Sequence, residues 1–339
     1  MLLSTASVLG TRVSGTARRA STVLVTLLGL LALTFFIGRV MPLDPVLAVV
    51  GPDADSSTYD QVYRAMGLDQ PIWVQFWEFL SGIFTGRTLG SGQYALHCGF
   101  PCLGYSYENS ESVWGLLMDR LPVSASLAFG AAVLWLLLGL TAGVTAALRK
   151  DTLLDRVLMV GAVGAASMPV YFTSMMLIYG LIRVAGLFPY PQYVSFGSDP
   201  VHWATNLLLP WLALAILYAA MYARQSRSSM IETMAEPFIR TARAKGLPRR
   251  TVVVKHGLRA GMTPILTIFG MDLGGLLAGA VITESIFGLP GIGRLFYGAL
   301  SSGDQPVILG VTLLAATFIV VANLAVDLLY AVVDPRVRF

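Results

Sequence analysis

Residues 123–148 read VSASLAFGAAVLWLLLGLTAGVTAAL, 26 residues without one Asp, Glu, Lys or Arg. As a helix this run would be about 39 Å long, enough to cross a ~30 Å hydrocarbon core. Five more apolar stretches lie outward from it. One precedes it at about 21–40; four follow at about 157–185, 205–223, 263–283 and 307–333, the first of these four interrupted by Pro169. Hydrophobic residues make up 55% of the 339 and charged residues 12%, against about a quarter charged in a soluble domain. Six such runs leave too little polar surface to wet a globule, which disfavours a large soluble core. The expected fold is an all-α membrane protein of six transmembrane helices.

Lys and Arg in the connecting segments set the orientation. They gather in the N-terminal tail (Arg12, Arg18, Arg19), at Arg149, Lys150 and Arg156, throughout 224–261, and at Arg336 and Arg338. With six spans these segments share one side, so both termini are expected to be cytoplasmic. The segment 41–122 falls on the opposite side and is acidic, with nine Asp and Glu against Arg64, Arg87 and Arg120. The first apolar run is too long for a typical signal-peptide core and no clear cleavage site follows it, so it reads as a retained helix. Three regions follow: 1–40, tail and first helix; 41–122, an extracytoplasmic helical and loop subdomain; and 123–339, a five-helix core with its basic loop at 224–261.

Within 41–122, short helices are expected at about 56–66 and 71–84. The second opens on Pro71, suited to a first helical turn, and its Trp and Phe residues suit a membrane interface. The piece 85–112, rich in Gly, Ser, Tyr and Asn, reads as an irregular loop. It holds both cysteines, Cys98 and Cys102. On an oxidising side these favour a disulfide; free thiols, or a metal or redox site with His97, are the alternatives.

Several chemistries are excluded or unsupported. No Gly-rich lysine loop is present to cradle a nucleotide phosphate, so any ATP that drives the chain is bound elsewhere. Neither Gly-x-Ser-x-Gly nor His-Glu-x-x-His occurs. The chain is therefore not expected to be an enzyme, to hold a cofactor or resident metal, or to bind nucleic acid. Asp272, midway along the fifth run, is costly at that depth and points to a bundle interior or a water-filled path. It is either a translocation-pathway group, able to meet an amino group or another cation, or a carboxyl held by neighbouring helices. Gly270, Gly274, Gly275 and Gly279 around it permit close helix contact. Asp327, with Asn323 on the same face, reads as a structural polar contact. Arg183 and Glu284 lie near span ends and can snorkel.

The most informative segment is Glu236-Pro-Phe-Ile-Arg-Thr-Ala-Arg-Ala-Lys-Gly246-Leu. Pro237 near its start and Gly246 at its end punctuate a short basic helix. Thr241, Ala242 and Ala244 are small enough for a partner to approach, and Arg240, Arg243 and Lys245 supply charge. The bland alternative is a loop that only sets topology or touches anionic lipid.

Together with Lys255-His-Gly-Leu-Arg-Ala-Gly-Met-Thr-Pro264, this run resembles the cytoplasmic signature loop of ATP-binding-cassette importer permeases. It is most similar to the dipeptide, oligopeptide and nickel subgroup. The wider pattern is Glu-Ala-Ala, three residues, Gly, nine residues, then Ile-x-Leu-Pro. Arg240, Thr241, Ala242 and Gly246 fall on its first part; His256, Leu258 and Arg259 fall on its second. The Glu, Ile and Pro of the pattern are thus Arg, His and Arg here, as the peptide subgroup often has them. Gly67-Leu-Asp-Gln-Pro71, Leu103-Gly-Tyr-Ser106, Arg120-Leu-Pro122, Glu284-Ser-Ile-Phe-Gly-Leu-Pro-Gly-Ile-Gly-Arg294 and Asp327-Leu-Leu-Tyr-Ala-Val-Val-Asp-Pro-Arg336 extend the similarity along nearly the whole chain. Residues 85–102 read as an insertion.

The resemblance implies a permease subunit that moves di- or oligopeptides, or nickel or another small solute, inward by alternating access. It implies a second homologous permease subunit, two ATPase subunits that bind ATP and Mg, an extracytoplasmic solute-binding protein, and surrounding membrane lipid. Glu236, Arg240, Thr241, Ala242, Arg243, Lys245 and Gly246 would form the joint to the ATPases. The rivals are an ion-coupled secondary transporter using Asp272 and Asp327, which inverted repeats would favour and none is visible, and a membrane scaffold.

Overall fold

The computed structural model describes residues 21, 23–38, 45–51, 55–89, 96–106 and 108–333. The basic N-terminal tail, Arg336 and Arg338, and the side chain of Asp327 lie outside the described residues. The chain is mostly helical and divides into two compact units.

The first unit runs to Leu121 and takes in Leu295–Val320. It contains α1 (Val23–Gly38), α2 (Pro45–Val50), α3 (Ser56–Ala65) and α4 (Ile72–Thr85). Phe35 of α1 packs 5.8 Å from Phe79 and 5.4 Å from Phe76 of α4, with Leu31, Leu309 and Leu313 around them. Trp73, Trp77 and Phe84 project from α4 and stay exposed, as suits an interfacial helix. The irregular loop expected at 85–112 is more ordered than its composition suggests. It forms two antiparallel pairs, β1 (Arg87–Leu89) with β2 (Leu96–Cys98), and β3 (Tyr105–Ser106) with β4 (Glu111–Ser112). The fold is therefore not strictly all-α. Strands of two or three residues are too short to show a period of two.

The second unit spans Pro122–Arg294 and resumes at Val321. Its long members are α5 (Val113–Leu148), which starts in the first unit, and α8 (Pro200–Ala235), 36 residues each. Each carries an internal proline, Pro122 or Pro210, without stopping. Between them α6 (Leu153–Ala166) and α7 (Val170–Val184) meet at 100°. Pro169 causes the break: it N-caps α7 in an extended conformation and disfavours helix at Met168. Beyond α8 come α9 (Pro237–Ala244), α10 (Arg249–Gly261), bent by 53° into α11 (Thr263–Leu277), and α12 (Val281–Ile286). Then come α13 (Ile292–Ser302) and α14 (Gln305–Val333), the last described helices. Among the described residues α5, α8 and α14 are each long and apolar enough to cross a membrane alone. The two bent pairs raise that number to as many as five, and α1 is apolar but shorter.

Within a bilayer, burying a leucine against another helix gains little over burying it in lipid, so close packing and polar ties carry the association. Gly139 and Gly143 of α5 lie directly against α8, where a Cβ on Gly139 would sit 2.6 Å from that of Tyr222. Trp135, fully buried, stands at the centre of the cluster with Tyr218, Tyr222 and Phe269.

Three expectations for the fifth run need correction. Helix α11 ends at Leu277, six residues early, because the chain turns at Gly279 with φ +122°. Gly279 is thus a turn residue, its backbone pressed on Gly293. Glu284 does not snorkel; it is fully buried.

Candidate functional site

Helix α8 stops where Pro237 begins α9, with Glu236 in extended conformation between them. Proline tolerates the first helical turn because its missing N–H has no partner there. At the far end Gly246 N donates to Arg243 O (2.9 Å) and Leu247 N to Ala242 O (3.4 Å), with Gly246 at φ +73°. This is a Schellman stop, and it needs a residue that accepts the left-handed region. A Cβ on Gly246 would meet nothing within 4 Å, so conformation rather than space selects glycine here.

Two faces of α9 differ sharply. Ile239 and Ala242 are buried and pack on Val252 of α10 and Met234 of α8. Arg240, Thr241, Arg243, Ala244, Lys245 and Gly246 are exposed, as are Phe238 and Leu247. The structure thus brings Arg240, Thr241, Arg243 and Lys245 onto one accessible, basic surface, with Glu236 exposed at its edge. Ala242 was expected to face a partner, and it does not: it is small because Val252 lies against it.

The helix is also fastened behind. Residues 252–258 of α10 are wound as a π-helix, in which Gly257 lies where a Cβ would meet Met230 and Met234 of α8 at 2.9 Å. Ser229 Oγ donates to Gly261 O at 2.6 Å. Arg227 forms a two-pronged pair with Asp155 of α6, Nε to Oδ1 at 2.6 Å and a terminal nitrogen to Oδ2 at 2.7 Å. Such paired contacts fix geometry as well as charge. Any push on α9 would therefore act on α8 and α10 together.

Asp272 lies in α11, half-buried, and accepts a hydrogen bond on Oδ2 from Tyr222 Oη of α8 (2.8 Å). Gly270 packs on Val326 of α14, whereas Gly275 faces open space. Cys98 and Cys102 are joined in a disulfide, with Cα atoms 5.4 Å apart. Neither sulfur is then a thiolate that a metal beside His97 would need.

Sequence reasoning missed the anchor at Glu284. Its Oε1 accepts from Ser124 Oγ (2.7 Å) and its Oε2 from Arg294 N (2.9 Å), and Ser124 Oγ in turn accepts from Ile292 N (2.8 Å). Gly291 and Gly293 wrap the carboxyl group so closely that a Cβ on Gly291 would collide with it. The signal was present in two glycines a residue apart, seven and nine positions after an acid. In the first unit, Asp304, also missed, is buried and accepts from Ser106 Oγ. Burial pushes its carboxyl above the usual aspartate range, against the pull of the Ser106 and Val307 donors.

Comparison with known proteins gives this arrangement a family. Residues 121–339 match the family described as "Binding-protein-dependent transport system inner membrane component", and residues 14–128 match the corresponding N-terminal family. The chain is 34% identical over 345 residues to the dipeptide transport system permease protein DppB of Escherichia coli (strain K12), covering 95% of this chain and 97% of that protein. It is likewise 34% identical over 346 residues to the di/tripeptide transport system permease protein DppB of Pseudomonas aeruginosa, covering 95% and 98%. In fold it is similar to a chain of the MetNI methionine ABC transporter in an inward-facing form. The TM-score is 0.51 at 15% identity, covering 65% of this chain and 97% of that one. The chain belongs to the binding-protein-dependent transport system inner membrane components, the permease subunits of ATP-binding-cassette importers.

Proposed function

We propose that this chain is a permease subunit that moves di- or oligopeptides across the cytoplasmic membrane by alternating access. The chain spans the membrane six times with both termini cytoplasmic, and 41–122 forms the extracytoplasmic subdomain. It works with a second, homologous permease subunit, two ATPase subunits that bind ATP and Mg, and an extracytoplasmic solute-binding protein. The peptide assignment is supported by the relatives' named substrates over nearly their full length.

One observation carries the mechanism: α9 turns Ile239 and Ala242 inward and presents Arg240, Thr241, Arg243 and Lys245 outward. A short helix locked behind and charged in front suits a joint that must pass motion without yielding. ATP binding closes the ATPase pair, the pair displaces α9, and α8 and α10 follow. Glu236 and Gly246 delimit the joint at its two ends. Asp272 belongs to the translocation pathway, and the Cys98–Cys102 link stiffens the outer loop.

The test is a gentle pull-down through a tag on this chain. ATPase subunits and their hydrolytic activity should co-purify, and both should vanish when 236–248 is replaced as a whole, whereas single substitutions within it leave the ATPases bound. A folded chain that brings down no ATPase would refute the reading.

A further inference from the structure

No cationic side chain lies level with Asp272 in the apolar stretches of the helices packed around it. The apolar stretches 123–148 of α5, 203–223 of α8 and 263–277 of α11 hold no Lys, Arg or His. One carboxylate oxygen is taken by Tyr222 Oη, and the other has no hydrogen-bond partner among the described residues. Beside it the helix is open. Met271 is half exposed, and a Cβ on Gly275, one turn on, would meet nothing within 4 Å.

Tyr222, which holds the carboxylate, belongs to an aromatic cluster. Trp135 stacks on Tyr218 at 4.7 Å between ring centroids and lies 6.0 Å from both Tyr222 and Phe269. A carboxylate with one open oxygen, beside an uncrowded helix face, is complementary to a small cation with several N–H donors.

We propose that Asp272, positioned by Tyr222, is a transient station for the N-terminal ammonium group of the transported peptide. This rests on the peptide-importer reading above and deepens it by naming the substrate group recognised inside the membrane. An –NH3+ group would give one N–H to the open Asp272 oxygen and a second to the Tyr222 oxygen. A single carboxylate with no second anion gives a site that a substrate can also leave, as passage requires. Peptides with a blocked N-terminus would lose this station.

The test uses the complete importer in proteoliposomes, with one binding protein throughout. It compares uptake of a dipeptide with uptake of its N-acetyl derivative. The binding protein's own preference is common to all variants, so a change in the free-to-acetylated ratio reports the permease. The wild type should favour the free dipeptide. Asp272→Asn should lower the ratio about tenfold or more, the scale of one hydrogen bond to a charged group. Asp272→Glu should keep most of it, and Tyr222→Phe should lower it partway. If Asp272→Asn blocks uptake of both peptides, the ratio in Tyr222→Phe decides. A ratio unchanged in Asp272→Asn, or in Tyr222→Phe in that case, overturns the station and leaves the importer reading standing. A wild-type complex that imports neither peptide overturns both.

Discussion

Glu284 and Asp304 are carboxylates that the fold has taken out of solvent, and each is held by named donors. Removing an acceptor from a buried donor costs about 1–3 kcal/mol. Glu284→Ala should therefore lower the unfolding temperature of the detergent-purified chain clearly. Glu284→Gln, which keeps an acceptor, should lower it less; equal stability of both variants and wild type would contradict the anchor. Asp304 predicts a pH effect. Its folded pKa is raised above its unfolded value by burial, so the native state holds that proton more tightly. Its stabilising contribution is complete below the ordinary aspartate range and is lost as pH rises through the raised folded value. Thermal unfolding across a pH series should show stability falling as pH climbs through this window. Asp304→Asn should flatten the fall, and an identical slope would refute the account. Neither role was readable from single residues. An acid near a run end looks like a snorkelling charge until its glycine cradle, formed by the chain several residues on, is known.

At the scale of the element, α9 is a helix whose boundaries sequence rules predict well and whose orientation they do not. Pro237 and Gly246 mark its ends because backbone chemistry is local. The direction of Ala242 depends on Val252, ten residues away on another helix, and no local rule supplies that. The same limit explains 85–112, where the ordering contacts are cross-strand pairs such as Thr88 with His97. Placing a Cβ residue at φ +73° costs about 1–2 kcal/mol and would re-aim Leu247 and Pro248. Gly246→Trp should therefore leave the chain inserted while ATP hydrolysis continues and uptake fails. Arg243→Glu, which reverses a charge on the exposed face, should do the same. Uptake and hydrolysis measured together in proteoliposomes check both variants, and normal uptake per ATP would remove α9 from the joint.

For the whole molecule, apolar run length located the long helices and missed their shape. α5, α8 and α14 are the continuous cases. The segments that break do so at Pro169 and near Met262–Pro264, where backbone restriction overrides an otherwise helical pattern. Composition located the class because lipid leaves few alternatives to a helix. It located no specific pairing, since Gly139 and Gly143 against α8 and the Arg227–Asp155 clamp depend on which helices become neighbours. The proposed joint requires α9 to lie against an ATPase subunit in the assembled importer. Both native cysteines are in a disulfide and no free thiol competes, so a single introduced cysteine can report contact. Thr241→Cys and Lys245→Cys, with a short thiol-reactive crosslinker in the intact complex, should each capture the ATPase subunit, while Ala242→Cys on the buried face should not. ATPase captured equally at all three positions, or at none, would contradict the account.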